Sequence, residues 1–166
     1  IQRVFEVSMI RITREADYGF VLMIYLAQVH GRPCSAAALA QQGRLSLPMV
    51  SKILKALARA GLLISRRGVQ GGYNLARSAA CISAADIISA LEGPIAITEC
   101  SDGAHDSCVR QDYCEVSGHW GRINQALHTA LRSISLLEMS RPDPIRLAHF
   151  HPLYRAVTTS IAGHPI

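Results

Sequence analysis

Three of the five cysteines, Cys100, Cys108 and Cys114, fall in one short polar segment with the spacing C-x7-C-x5-C. Thiolates are soft ligands that select iron–sulfur clusters, zinc or copper(I). Structural zinc sites favour tight C-x2-C or C-x4-C pairs, and this segment has none. Sulfurs spread over a loop of glycine and polar residues suit an object wider than one ion. Inert thiols prefer burial, which such a loop does not offer. Cys34 and Cys81 lie outside the segment and are expected in the core.

Three thiols leave one ligand open. His119 follows Cys114 by five residues, and His105, Glu99 and Glu115 lie in or beside the loop. Asp17 or Glu15 of the partner subunit are further candidates. An odd number of cysteines without a secretion signal argues against a disulfide framework. Catalysis finds little support, since no P-loop, G-x-S-x-G, H-E-x-x-H or dinucleotide fingerprint is present. Cys108 or Cys114 as nucleophile, with His105 or His119 as base, would make a cysteine-dependent enzyme, but no substrate pocket accompanies them.

The cysteine loop must be held by the elements on either side. Downstream, Ser117 is expected to cap a long helix from Gly118 to Met139, closed by Pro142. Its N-terminal dipole would stabilise thiolates and an anionic cluster. Trp120, Ile123, Leu127, Leu131, Ile134 and Leu137 keep helical spacing, over about 30 Å at 1.5 Å per residue. One small domain does not easily cover so long a stripe. A homodimer is expected, with some packing on the chain's own first helix.

Upstream, the charge is one-sided. The formal net charge is +5, and between Tyr18 and Ala85 there is no Asp or Glu, against Arg32, Arg44, Lys52, Lys55, Arg59, Arg66, Arg67 and Arg77. Such a segment repels itself unless it faces a polyanion, usually nucleic acid. Hydrophobic residues make up 49% of the chain, enough for a core. No apolar run approaches the roughly 20 residues that span a bilayer, so a cytoplasmic protein is expected. Met9 reads as a natural start, with residues 1–8 an upstream extension.

Phe20, Val21, Ile24 and Ala27 predict a first helix from Asp17 to Val29, ended before Gly31 and Pro33. Ser35 caps a short helix, Ala36 to Gln42, and Gly43 turns the chain. Ser46 caps a third helix, Leu47 to Ala60, with Pro48 in its first turn. Val50, Ile53, Leu54 and Leu57 form its apolar stripe, and Met49, Ser51, Lys52, Lys55 and Arg59 its opposite face. Helix, glycine turn and a helix basic on its outer face form a helix-turn-helix pattern. Leu62 to Ile64 and Tyr73 to Leu75 predict a hairpin around the basic turn from Arg66 to Gly72, which reads as a wing. Its glycines supply positive φ and let the backbone approach a phosphate. Ser83 then caps a helix from Ala84 to Leu91, broken by Gly93-Pro94.

These segments resemble the Rrf2 family of bacterial regulators, the IscR-, NsrR- and SufR-like proteins. The likeness rests on Ile12-Thr13-Arg14-Glu15-Ala16-Asp17-Tyr18-Gly19, Leu45-Ser46-Leu47-Pro48, the wing Arg67-Gly68-Val69-Gln70-Gly71-Gly72-Tyr73 and the three cysteines. It runs from about Met9 to Met139. It implies a homodimer with crossed long helices and an iron–sulfur cluster on Cys100, Cys108 and Cys114, a 2Fe-2S cluster ahead of a 4Fe-4S one. The stretch from Cys114 to Asn124 further resembles the subgroup regulating SUF-type cluster-assembly genes. In IscR-like members a histidine three residues after the last cysteine is the fourth ligand; here Ser117 stands there and the histidine falls at His119. In NsrR-like members it is an N-terminal aspartate of the other subunit, which matches Asp17.

The expected fold is mainly α: a winged helix-turn-helix with a small β-hairpin wing and a long C-terminal dimerisation helix. The DNA-binding head spans 9–92, the cysteine loop 93–116, the dimerisation helix 117–141 and a tail 142–166. The expected partner is double-stranded, pseudo-palindromic operator DNA. Lys52, Lys55, Arg66 and Arg67 are expected on phosphate. Met49, Ser51 and Gln70 are placed to read bases, with Ser46, Pro48 and Gly71 lining the same face. A zinc- or thiol-based redox regulator with the same DNA head is the alternative. The tail histidines His149 and His151 are weak metal ligands by themselves.

Overall fold

The computed structural model describes residues 12–29, 31–68, 71–98 and 114–141. It is mainly helical with one two-stranded hairpin. Helix α1 is Arg14–Gln28, three residues longer at its start than the apolar spacing predicts. The reason is a cap: Thr13 Oγ1 accepts from the Ala16 N–H at 3.2 Å, which satisfies an otherwise orphaned donor. The Thr13 N–H in turn donates to Glu92 Oε1 at 2.8 Å.

Helix α2 (Ala36–Gly43) is capped by Ser35, whose side chain accepts from Ala38 N–H. Gly43 is its last helical residue. The turn falls on Arg44, which takes the left-handed conformation at φ 51°. Helix α3 (Leu47–Arg59) follows, with Ser46 at its N-cap but no side-chain cap bond. Its stripe behaves as the spacing requires: Val50, Ile53, Leu54 and Leu57 are all fully buried. They pack with Leu22, Met23 and Leu26 of α1 and Leu39 of α2 into one core.

Strands β1 (Leu63–Arg66) and β2 (Gly72–Leu75) pair antiparallel, Leu63 opposite Leu75 and Arg66 opposite Gly72. A 3-10 turn, Ala79–Cys81, leads to α4 (Ala84–Glu92). Ser83 and Asp86 form a reciprocal capping box at the start of α4. Cys34 is half-buried against the core, whereas Cys81 is exposed. Ile82, the next residue, takes the fully buried position instead.

The long helix is two helices. Helix α5 runs Ser117–Ser133, with Val116 rather than Ser117 at its N-cap, and α6 covers Leu136–Met139. Between them Ile134 is extended, its carbonyl accepts from the Ala84 N–H at 2.9 Å, and the Leu136 N–H donates to Ile82 O at 2.7 Å. Ser135 and Glu138 then form a second capping box. The break sends Leu136 into the core, fully buried, and seats α6 against α1 and the 3-10 turn. Helix α5 itself packs mainly on α4. Part of its stripe stays open: Ile123 is 47% exposed. No helix of the described residues is long and apolar enough to cross a membrane.

Candidate nucleic-acid interface and metal centre

The turn between α2 and α3 presents the start of α3 outward. Ser46 and Pro48 are exposed there. Lys52 and Lys55 are exposed one and two turns on, and Ser51 is half-buried beside them. Met49 is less available than its place on the outer face predicts, because it packs partly against the core. Leu47 is the first residue of α3. It keeps the stripe's spacing, yet it lies ahead of the first packed turn and is 47% exposed.

Arg66 and Arg67 are exposed at the wing tip. Neither they nor Lys55 form an ion pair among the described residues. Lys52 differs: its Nζ lies 2.7 Å from Glu15 Oε2. That pair ties the start of α1 to the outer face of α3. It also occupies the carboxylate of Glu15, one of the candidate ligands. Only a tertiary contact could reveal it.

The glycines of the wing have a packing reason of their own. The Cys34 N–H donates to Tyr73 O at 3.1 Å, and the Tyr73 N–H donates to Cys34 O at 2.8 Å. The segment before α2 is thereby clipped onto β2. Gly72 stands at φ 150°, and a Cβ there would come within 2.7 Å of the Cys34 carbonyl. A Cβ on Gly71 would collide with the carbonyl oxygen of Arg66. The Gly71 N–H donates to Gly68 O at 2.8 Å, which closes the turn. Gln70 lies outside the described residues.

Of the candidate cysteine ligands, Cys100 and Cys108 also lie outside the described residues, as do His105 and Glu99. Cys114 is half-buried just ahead of α5. His119 is exposed in the first turn of that helix, its backbone N–H bonded to Val116 O at 3.0 Å. Val116 supplies no side-chain cap, and the first turn carries no acid. Cys114 stands three residues ahead of the first residue of α5. Asp17 is exposed in the first turn of α1. Among the described residues no group of three or more ligand side chains comes together.

Residues 12–142 match the family described as Rrf2, iron-dependent transcriptional regulator. The chain belongs to the Rrf2 family. It is therefore a DNA-binding transcriptional regulator, and the cysteine-dependent enzyme weighed from the sequence falls away. Protein rrf2 of Nitratidesulfovibrio vulgaris is 31% identical over 133 residues, 79% of this chain and 87% of that protein. The structure of CymR, the global cysteine regulator of Bacillus subtilis, superposes with a TM-score of 0.62 at 34% identity. That match covers 80% of this chain and 97% of the other. IscR of T. potens gives a TM-score of 0.59 at 31% identity, over 78% of this chain and 85% of its own. The winged helix-turn-helix of these Rrf2 regulators is the architecture that the hairpin after α3 predicts.

Proposed function

We propose that this Rrf2-family protein is a homodimeric cytoplasmic regulator that holds an iron–sulfur cluster on Cys100, Cys108 and Cys114. The fourth ligand is His119 or Asp17 of the partner subunit, and the genes controlled are those of SUF-type cluster assembly. The observation that supports this reading is Cys114, half-buried three residues ahead of α5, whose first turn carries no acid. The positive end of the helix dipole there suits an anionic ligand group. When bound, the cluster would supply a redox-sensitive anionic centre at that end of α5.

The chain's own residues carry the rest. Helix α5 is anchored through Ile134 and Leu136 to the strand-like segment before α4, and α4 packs on both α1 and α3. The effect of a cluster held by these cysteines would thereby reach the recognition helix through packed elements. The open apolar face at Ile123 is the surface on which a second copy would pair. Lys55, Arg66 and Arg67 would bind phosphate, and Ser51 and Gln70 would read base edges.

The likeness to the cysteine regulator CymR favours a second reading, a thiol-responsive regulator without a cluster. Purification under strict exclusion of oxygen separates the two. A cluster protein should be brown, with iron and acid-labile sulfide in comparable amounts, and both should be lost when Cys100, Cys108 and Cys114 are changed together to Ala. Colourless protein with neither element would support the thiol reading and end the cluster reading.

A further inference from the structure

A cavity of about 590 Å³ lies away from the interface, where the end of α1, strand β2, the 3-10 turn and α6 meet. Its volume is within the range of small-molecule sites, roughly 300–1,000 Å³. Leu26, Ala27, Leu75, Ala79 and Leu137 give it an apolar lining. Arg77 and Arg141 are on its wall, and no Asp or Glu is among the lining residues. Its polar side chains are unequally committed. Arg77 is bonded to Asp86 at 3.0 Å. The Gln28 amide donates to Ser140 O, and the Asn74 amide donates to Gly31 O at 3.1 Å. Arg141, exposed at the rim, forms no ion pair among the described residues. Asn74 Oδ1 is buried with no hydrogen-bond donor among the described residues.

The Glu138 carboxylate, one turn before Arg141, feels that guanidinium but is hydrogen-bonded to Ser135, so a guanidinium above an apolar wall remains to select for a single negative charge on a short aliphatic body. A guanidinium binds a carboxylate through two parallel N–H···O bonds, and the leucines would cover the tail. We propose that this cavity is a binding site for a small aliphatic monocarboxylate, its carboxylate on Arg141 and its alkyl chain against Leu26, Leu75 and Leu137. This site is independent of the cysteine loop. An occupant would touch the returning strand of the wing and α6 together.

The test is a titration of the full chain, isotopically labelled, with hexanoate, followed by the amide resonances of Asn74, Ala79 and Leu137. Hexan-1-ol, acetate and inorganic phosphate serve as comparison probes. Hexanoate should shift those three resonances saturably. Hexan-1-ol and acetate should each bind at least about 10-fold more weakly, since each lacks one half of the recognition, and Arg141→Ala should weaken hexanoate by a similar factor. Ala79→Phe, which fills the cavity, should abolish the shifts, with the circular dichroism of the variant reporting that it folds. Three results would overturn the assignment: no saturable shift with hexanoate, equal binding of phosphate, or unaltered hexanoate binding by folded Arg141→Ala protein.

Discussion

The Lys52 ammonium lies 2.7 Å from the Glu15 carboxylate, so one of the cations facing outward from α3 is paired within the protein. Lys55, one turn on, has no such partner among the described residues. The lysine side chain is 69% exposed and the glutamate 26%. An ion pair at such a surface is worth about 0–1 kcal/mol, weak enough for a phosphate to compete with it. If α3 meets DNA phosphate as proposed, Glu15 would act as a local brake on nonspecific attraction.

Glu15→Gln should accordingly tighten DNA binding by about 2- to 5-fold at low salt, the range spanned by a pair worth up to 1 kcal/mol. Lys52→Ala should cost less than Lys55→Ala in the native background and as much as Lys55→Ala in the Glu15→Gln background. Fluorescence anisotropy over a salt series checks both, because each phosphate contact contributes about 0.9 to the slope of log K against log salt.

Gly72→Ala should loosen the wing. The new Cβ would meet the Cys34 carbonyl, and φ 150° is strained for any side chain. A strain of about 1–3 kcal/mol should lower the thermal midpoint. Weakened DNA binding should accompany it, since the clip between Cys34 and Tyr73 holds β2. Gly93→Ala is the control. It shares a positive φ of 90° but meets nothing within 4 Å, so strain without collision should cost less and leave DNA affinity unchanged. Calorimetry and anisotropy on the two variants measure the difference.

The Asp86 carboxyl is raised by its partial burial, but bonds from Ser83 and the Arg77 and Arg132 guanidiniums outweigh that and hold it below its ordinary value of 3.8. A depressed folded value means the native state binds that proton less readily than the unfolded chain. The stabilisation is complete above the ordinary value and is lost as the pH falls through the lower, folded one. Asp86→Asn should therefore be less stable than native protein at neutral pH by about 1 kcal/mol, the usual worth of a cap. That gap should close on acidification below the ordinary value. Denaturant melts at a series of pH values read it directly.

Leu136 and Ile123 test the divided helix. Leu136 is fully buried and Ile123 is 47% exposed. Leu136→Ala should cost about 2–5 kcal/mol of stability, as core truncations do. Ile123→Glu should leave the protomer folded and raise the dimer dissociation constant at least about 10-fold, by placing a charge in an apolar interface. Chemical denaturation and sedimentation velocity give the two readings.

Much of the reading head was legible because burial imposes periodicity. The Val50, Ile53, Leu54 and Leu57 spacing is a direct record of the face that α3 buries. The glycines of the wing were legible as turn residues, but the Cys34 backbone that requires Gly72 is distant in sequence and left no local trace. The division between α5 and α6 was obscured by the regular spacing of Ile134 and Leu137 with the residues before them. Its signal was the Ser135–Glu138 capping box, a pattern that marks a helix start even inside an apolar period. Cys81 was misplaced because its neighbour Ile82 competes for the same buried position and, being larger and wholly apolar, occupies it. The pairing of Lys52 with Glu15 joins two helices by side chains alone and has no sequence pattern. The cysteine spacing could suggest soft-metal chemistry, but it could not choose between His119 and Asp17, because that choice depends on how two copies meet.

The central claim is that sulfur ligands beside α5 alter how α3 and the wing bind DNA. The most direct measurement is the affinity for one operator duplex, recovered by selection from random sequence, of cluster-loaded and cluster-free protein at the same salt concentration and without oxygen. The expected result is a difference of about 5- to 150-fold, the usual scale of coupling between sites. Equal affinities for the two forms would contradict it.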